Sequence, residues 1–258
     1  MKLTNNNYFK SDNNYLSNSK VSDWLKCKNY FKSKHIDHTI TQPVTDPMII
    51  GSAVDTWLTE SEEKFNEQYI VMSRRNRKAD TPWRYQLTPS MYNQVESMCK
   101  NAEQSPVIKQ FRKEKYIAQE IVQVDLELNH FKGLCGIPDW YKIEGDTIII
   151  PDLKTTQTIE PVKYHYKCMS LGYYRQQAFY QILLGNKYDK HKFVSYHVAI
   201  EKDTEGIYKV VTFLLNQERI EDEKENLYKI FKDIKNEKKF SKHQATLENA
   251  FEIGGYNG

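Results

Sequence analysis

In the first half of the chain, apolar residues recur every three or four positions, which is the spacing of an amphipathic helix. The pattern predicts a short helix capped by Ser19, a second helix over residues 46–69, and a third that begins at Thr88 and ends at Ser105. Residues 73–85 have no such period and a high density of basic side chains, so we expect a loop there.

The middle of the chain changes to alternation of apolar and polar residues. Residues 116–128 and 131–143 alternate with a period of two, and residues 147–154 contain the apolar run Ile148–Ile150. Because short turn sequences separate these segments, we predict a three-stranded antiparallel meander. Helices and strands then follow in turn: a helix after Pro161, strands over 193–201 and 207–215, and a long charged helix over 218–239.

The composition is that of a folded domain rather than a disordered chain. Of 258 residues, 39% are hydrophobic, and 37 basic residues against 34 acidic ones give a formal net charge of +3. We predict an α/β fold in a single domain over residues 16–240, with a flexible arm over 1–15 and a polar tail over 241–258. The small net charge excludes a polybasic tail protein, but a local basic face for nucleic acid stays open.

The sequence shows no membrane or export signal. No apolar run reaches the ~18 residues that a membrane helix needs. The N-terminal residues are Asn-rich and polar and lack the apolar segment of a signal peptide. We therefore expect a soluble, cytoplasmic protein with no membrane partner.

Candidate chemistry follows the apolar run of the third meander strand. Asp152 and Lys154 are two positions apart, so they point to one face of the strand, while Leu153 faces the other way. Asp139 lies on the preceding strand. Charges at the end of an interior strand need a partner, and a hard divalent cation bound by both carboxylates and the Leu153 carbonyl would supply it. For so short a motif, the alternative is a surface Asp–Lys pair near a turn.

Motifs along the whole chain resemble the PD-(D/E)XK nuclease superfamily, and within it the RecB-like and RecE-like exonucleases, including phage recombination exonucleases. The matching segments, in the family's order, are LSNSKVSDWLKCKNYF (16–31), GSAVDTWLTE (51–60), GIPDW (136–140), IIIPDLKTT (148–156), YYRQQAFY (173–180) and VAIEKDTEGIYKVVTFLL (198–215). The resemblance implies a restriction-endonuclease-like core, in which a central mixed sheet with an antiparallel meander is flanked by helices.

The resemblance also implies roles for individual residues. Asp139 and Asp152 match metal ligands, and Lys154 matches the catalytic lysine. Gln176 matches a helix position that lines the site and contacts substrate or the lysine. Tyr173 lies three residues before Gln176 on the same helix face and is a further candidate for catalysis.

Two acidic residues have two interpretations each. Glu120 matches the acidic residue that these nucleases often place upstream of the second motif, but it is equally a solvated charge at a strand edge. Asp55 stands where the family usually has a histidine ligand. An aspartate there would keep a metal site and favour Mg²⁺ over softer ions, with Mn²⁺ as the second choice. The alternative for Asp55 is a solvated helix residue, and for Tyr180, on the Gln176 helix, we favour core packing.

The cysteines argue against a metal cluster. Cys27, Cys99, Cys135 and Cys168 are scattered without a CxxC pair, so we expect reduced thiols rather than disulfides or a structural zinc site. Some relatives carry an iron–sulfur cluster that joins an early cysteine to three late ones. Cys27 fits the early position, but no cysteine follows Cys168, and we expect no iron–sulfur cluster.

The loop over residues 73–85 is a candidate DNA contact. Arginines pair with phosphates, and aromatic side chains stack on frayed bases. A solvated basic loop is the alternative. The basic residues of the loop, which alternate with Trp83 and Tyr85, are Arg74, Arg75, Arg77, Lys78 and Arg84.

The leading functional hypothesis is a Mg²⁺-dependent DNA exonuclease of phage or prophage recombination type. By resemblance, it would degrade one strand of duplex DNA from an end and hand the other strand to a single-strand annealing protein. Ring-like homo-oligomers are common in that group, and a ring would trap the product strand. The alternatives are a structure- or single-strand-specific endonuclease of the same fold and a DNA-binding relative without catalysis.

Overall fold

A computed structural model of the chain describes residue 8 and residues 14–41, 43–76, 80–202 and 207–237. Its helices are α1 (Asn18–Lys26), α2 (Lys28–His35), α3 (Asp46–Asp55), α4 (Glu62–Gln68), α5 (Pro89–Gln104), α6 (Pro106–Lys113), α7 (Pro161–Ser170), α8 (Tyr173–Tyr188) and α9 (Gln217–Asn236). A π-helical turn, Thr56–Glu60, follows α3, and a 3₁₀ turn covers Trp83–Tyr85. None of the described helices is long and apolar enough to cross a membrane.

The strands form one central sheet and two smaller ones. They are β1 (Tyr15–Leu16), β2 (Ile70–Val71), β3 (Gln86–Leu87), β4 (Ile117–Ala118), β5 (Val122–Leu128), β6 (Phe131–Gly136), β7 (Trp140–Glu144), β8 (Thr147–Thr156), β9 (Lys192–Glu201) and β10 (Val210–Leu214). The central sheet has the order β10-β9-β8-β7-β4, in which β8 and β9 are parallel and the other pairs antiparallel. The smaller sheets are β1-β6-β5 and β2-β3. The predicted α/β architecture with a mixed sheet is confirmed.

Two hydrophobic cores cover the two faces of the central sheet. Ile148 and Ile150 of β8 point into the first core, which α8 and α9 complete. Leu153 points into the second core, which α3 and α5 complete. Because successive side chains of a strand alternate between faces, β8 contributes to both cores. It is an interior strand, as its isoleucine run predicts, and it ends between the two cores.

The predicted capping signals act where the sequence places them, with one exception. Thr88 accepts a hydrogen bond from the Met91 amide at 3.3 Å, and Pro89 occupies the first turn of α5. At α1, the cap is Ser17 rather than the predicted Ser19, because the Ser17 hydroxyl accepts from the Lys20 amide. The helix therefore begins slightly earlier than the apolar pattern alone indicates.

The predicted meander is wrong in one respect, since two of its strands are broken. The segment 116–128 divides into β4 and β5 at Gln119, which has a left-handed φ of 49°. The segment 131–143 divides into β6 and β7 at residues 137–139. The two breaks face each other, because the Gln119 amide donates to the Asp139 carbonyl at 3.2 Å. As a result, β5 and β6 leave the central sheet and form a second one with β1.

Two predicted helices are also broken. The helix over 46–69 divides into α3, the π-helical turn and α4, because Ser61 is extended and caps α4 through the Lys64 amide at 3.0 Å. The helix after Pro161 divides into α7 and α8 at Gly172, which has a left-handed φ of 67°. This break leaves Met169 and Leu171 exposed instead of facing the core.

The predicted arm needs a correction at its last residue. Tyr15 is 5% exposed and pairs with Gly133 as part of β1, so it belongs to the fold. Tyr8, also assigned to the arm, packs against Tyr15 and Cys135. Most of the rest of the arm, and all of the predicted tail over 241–258, lie outside the described residues.

Candidate active site

The end of β8 places Asp152 and Lys154 on one face, as the alternation predicts. The Lys154 ammonium contacts an Asp152 carboxylate oxygen, and the Lys154 side chain is 12% exposed while that of Asp152 is 0% exposed. Leu153, between them, packs into the second core. This is a buried ion pair at the end of an interior strand rather than the surface pair that was the alternative.

Asp139 joins them from the neighbouring strand break. It lies at the bend between β6 and β7, one residue before the strand on which the sequence placed it. Its Oδ2 accepts a hydrogen bond from the Leu153 amide at 2.7 Å. Because this bond reaches the residue between Asp152 and Lys154, it fixes the Asp139 carboxylate against the end of β8.

Asp55 approaches the same place from α3. It is the last residue of α3, directly before the π-helical turn, a feature that is frequent at functional sites. The Gln119 side-chain amide donates to both Asp55 oxygens at 3.1 and 3.2 Å. Since the Gln119 backbone amide also donates to the Asp139 backbone carbonyl, this glutamine links the Asp55 carboxylate to the main chain at Asp139. The sequence analysis did not identify Gln119, because the residue belongs to no motif and is marked only by its position next to Glu120.

The three carboxylates act on one another electrostatically. Burial and the negative charge of Asp152 raise the pKa of Asp55 to about 7. Burial, Asp55 and Asp152 raise the pKa of Asp139 well above its usual range, and burial raises that of Asp152. Burial alone would lower the pKa of Lys154, but Asp152 and Asp139 outweigh it and raise it. The Lys154 ammonium carries one positive charge and therefore cannot neutralise all three neighbouring carboxylates.

Asp152 is the most isolated of these groups. Apart from its contact with Lys154, neither of its carboxylate oxygens has a hydrogen-bond partner in the described part of the chain. The fully buried imidazole of His197 points its Nε2 at Asp152 Oδ2 from 4.0 Å, and its Nδ1 is 3.0 Å from the Tyr164 hydroxyl. Burial and the charge of Lys154 hold the pKa of His197 well below its usual value, which favours the neutral ring.

The N-terminal part of α8 closes the site from the first core. The Tyr173 ring lies 4.9 Å from the Lys154 ammonium, within range of a cation–π contact. Gln176 donates to the Tyr180 hydroxyl at 3.0 Å. Burial and the charges of Asp152 and Asp139 raise the pKa of Tyr180 well above its usual range. Tyr180 is buried in the core as we expected, and its hydroxyl also lies near the aspartates.

Comparisons with known proteins identify the family of the chain. A family described as "PDDEXK-like domain of unknown function (DUF3799)" matches residues 17–249. The chain belongs to this PDDEXK-like family. Its mixed sheet and flanking helices are thus a restriction-endonuclease-like core, and the PD-(D/E)XK resemblance is confirmed. No curated protein matches the chain.

One solved structure agrees with the fold of this PDDEXK-like domain. The crystal structure of a protein described as a "putative exonuclease" from Eubacterium rectale is similar at 18% identity with a TM-score of 0.65. The match covers 92% of this chain and 87% of that one. A structure of SSO0001 matches at 10% identity, covers 82% of this chain and 84% of its own, and has a TM-score of only 0.31.

Glu120 does not join the carboxylates of the PDDEXK-like site, and we correct that assignment. Its carboxylate contacts the Tyr141 hydroxyl and lies 2.5 Å from the Lys187 ammonium. Lys187 is near the C-terminal end of α8, whereas Tyr173 and Gln176 are at the N-terminal end. The strand break turns Gln119, not Glu120, toward the site.

In the basic loop, Arg75 contacts other residues of the protein and is not available to DNA. The Arg75 guanidinium lies 4.1 Å from the Trp83 ring and pairs with Asp46, and its side chain is only 10% exposed. Arg74 and Arg84 are exposed, as a DNA contact requires. Arg77 and Lys78 lie outside the described residues. DNA binding by this loop remains a prediction, carried best by Arg74 and Arg84.

The donor set fits a hard divalent cation. Asp55, Asp139 and Asp152 offer only oxygen ligands, and burial is the largest cause of the raised pKa of each. A pocket of about 310 Å³ opens beside them, lined in part by Asp55, Leu153, Lys154 and Tyr173. In the described part of the chain, no three acidic, histidine or cysteine side chains already meet as a finished metal site.

Proposed function

We propose that this protein is a metal-dependent deoxyribonuclease that hydrolyses phosphodiester bonds. One observation carries the proposal: Asp152 is fully buried, its carboxylate oxygens have no hydrogen-bond partner among the described residues apart from the Lys154 contact, and the Leu153 amide holds Asp139 at the same strand end. Lys154 supplies one positive charge, and a bound divalent cation would supply the further ligand contacts that a buried carboxylate favours. Asp139, Asp152 and the Leu153 carbonyl are the proposed first ligands, with Asp55 as the additional carboxylate.

The residues of the site divide the work of hydrolysis between them. A bound Mg²⁺ would screen the phosphate and activate water for attack on phosphorus. Lys154 would hold the attacking water or a phosphate oxygen and stabilise the charge that develops there. The Tyr173 ring would keep the Lys154 ammonium in place, and Gln176 would contact the substrate from α8. Gln119 would orient Asp55 through its two hydrogen bonds.

The finer proposal is an exonuclease that acts from the ends of duplex DNA, of phage recombination type. It rests on the resemblance of the motifs to the RecB-like and RecE-like branch and is compatible with the similarity to the "putative exonuclease" fold. A ring-like homo-oligomer, a single-strand annealing partner and a cytoplasmic location belong to the same proposal. Mg²⁺ is the proposed ion, because all the donors are hard oxygens, and Mn²⁺ would also be accepted.

Digestion of linear and circular duplex DNA tests the proposal. Purified protein is incubated with each substrate in Mg²⁺ and in EDTA. Nucleotides released from linear DNA only, and only with Mg²⁺, are the expected result. Nicked circles would instead indicate an endonuclease of the same fold. If neither substrate nor single-stranded DNA is cut at any divalent ion, the deoxyribonuclease proposal is wrong and the inert DNA-binding relative takes its place.

A further inference from the structure

Beyond Lys154, the same face of β8 ends beside two lysines that the proposed hydrolysis does not use. Thr156 lies two residues past Lys154, so it points to the same face, and it is buried. The Lys167 ammonium, on α7, donates to the Thr156 hydroxyl at 3.0 Å. The Lys202 amide, just past β9, donates to the Thr156 carbonyl at 2.5 Å. Thr156 therefore fixes the Lys167 ammonium and the Lys202 backbone at the carboxyl end of β8.

Neither lysine has a carboxylate within ion-pair distance in the part of the chain that the structure describes. The nearby glutamates are directed elsewhere. Glu201 accepts from the Ile159 amide at 3.3 Å, and Glu160 accepts from the first amides of α7 at 3.0 and 3.1 Å. Most other lysines with a named contact on this chain pair with an acid, so Lys167 and Lys202 differ from them.

The two ammonium groups disfavour each other in this place. Burial lowers the pKa of Lys202, and the positive charge of Lys167 lowers it further. An anion between them would remove the repulsion and replace it with two attractive contacts. Both side chains are partly exposed, so a ligand from solvent can reach them.

The distance from the catalytic lysine indicates which anion would fit. Residues two apart on a strand are about 6.6 Å apart, so Thr156 lies that far along β8 from Lys154. This step is comparable to the separation of neighbouring phosphates in one nucleic-acid strand. Lysine binds phosphate as a point charge and reads no base, which suits an enzyme without sequence preference.

We propose that Lys167 and Lys202 bind the backbone phosphate next to the scissile one in a DNA strand. The inference rests on the proposed function, because that function fixes the scissile phosphate at Asp152 and Lys154. The subsite would orient the strand along the carboxyl end of β8. It would add affinity that depends on salt but not on base sequence.

Binding of labelled duplex DNA, with Ca²⁺ in place of Mg²⁺, gives the first test. We expect Lys167→Ala and Lys202→Ala each to weaken binding by about five- to tenfold and to reduce the slope of log K against log salt by about one. Lys192→Ala is the matched control, since Lys192 is an exposed lysine at the opposite end of β9, roughly 30 Å from Lys202. It should leave both quantities unchanged.

A DNA strand with one neutral methylphosphonate linkage gives the positional test. The linkage is placed one step to either side of the cleaved bond. On one side, the neutral linkage should slow turnover by the wild type. It should not slow Lys167→Ala or Lys202→Ala any further, because each variant has already lost its contact with that phosphate. Additive losses on both sides would overturn the subsite.

The failure of the subsite and that of the proposed function are distinguishable. If the wild type cuts DNA but both lysine variants behave like Lys192→Ala, the subsite is wrong and the nuclease stands. If the wild type binds DNA through both lysines and cuts nothing, the lysine contact stands and the nuclease falls. If the wild type binds no DNA, both are wrong.

Discussion

At the scale of single residues, Asp152 sets the chemistry of the site. A buried carboxylate costs several kcal/mol of folding free energy unless a cation, a proton or hydrogen bonds accompany it, by order-of-magnitude measures. Asp152 has Lys154, but that ammonium also faces Asp139. The remaining negative charge destabilises the metal-free fold and favours binding of a divalent cation. The same buried negative charge therefore lowers the stability of the metal-free fold and accounts for the proposed metal binding.

Asp152→Asn separates charge from shape at this position. Because the amide has the volume of the carboxylate but no negative charge, we expect turnover of linear DNA to fall by more than about 10²-fold while the far-ultraviolet circular dichroism is unchanged. Lys154→Ala should lose turnover as well. Asp146→Asn, in the exposed turn before β8, is the control and should cut DNA at the wild-type rate. Wild-type turnover in Asp152→Asn would contradict the assigned site.

Gln119 is the residue through which the strand breaks act on the carboxylates. Its amide donates to both Asp55 oxygens, and partners of this kind typically change metal affinity by about 10- to 100-fold. We expect Ca²⁺ to raise the melting temperature of the wild type, and Gln119→Ala to need about 10- to 100-fold more Ca²⁺ for the same rise. Gln123→Ala, on β5, is the matched control. Identical Ca²⁺ titrations for Gln119→Ala and wild type would show that the glutamine does not orient a ligand.

At the scale of elements, the sequence predicts those whose signals are local. Thr88 and Pro89 start α5, and the isoleucine run marks β8 as interior, because capping and alternation act over a few residues. The break at Gln119 has no such signal. A glutamine at a φ of 49° is held there by its bonds to Asp139 and Asp55, which are distant in sequence. For this reason the sequence points to Asp139 and Asp152 but gives no sign of Gln119, and Glu120, the acidic residue that it proposes, contacts Lys187 instead.

In the basic loop, too, the sequence gives the residue types but not which of the arginines are exposed. Arg75 is packed on Trp83 and paired with Asp46, whereas Arg84 is exposed. We expect Arg84→Ala to reduce the salt slope of DNA binding by about one with little change in stability. Arg75→Ala should instead lower the melting temperature, since it removes a stacked guanidinium, and should leave the slope close to that of the wild type. Salt titrations of both variants, with thermal melts, measure this. The reverse pattern would place Arg75 at the DNA.

At the scale of the whole molecule, β8 connects the two cores. Ile148 and Ile150 enter one and Leu153 enters the other, and the carboxylates meet where that strand ends. The site therefore takes Asp55 from the helices of the second core and Tyr173 from the helices of the first. Because the site joins elements from both sides of the sheet, we expect the two cores to unfold together.

Substitutions in each core test this single-domain prediction. Phe179 lies in the first core and Met98 in the second, and both are 0% exposed. We expect Phe179→Ala and Met98→Ala each to lower the free energy of unfolding by about 2–5 kcal/mol, because each leaves a cavity. In urea, fluorescence and circular dichroism should give one coincident transition for both variants, since a strand shared by two cores cannot lose one and keep the other. Two separated transitions in either variant would mean that the cores are independent domains and that the site lies at their boundary.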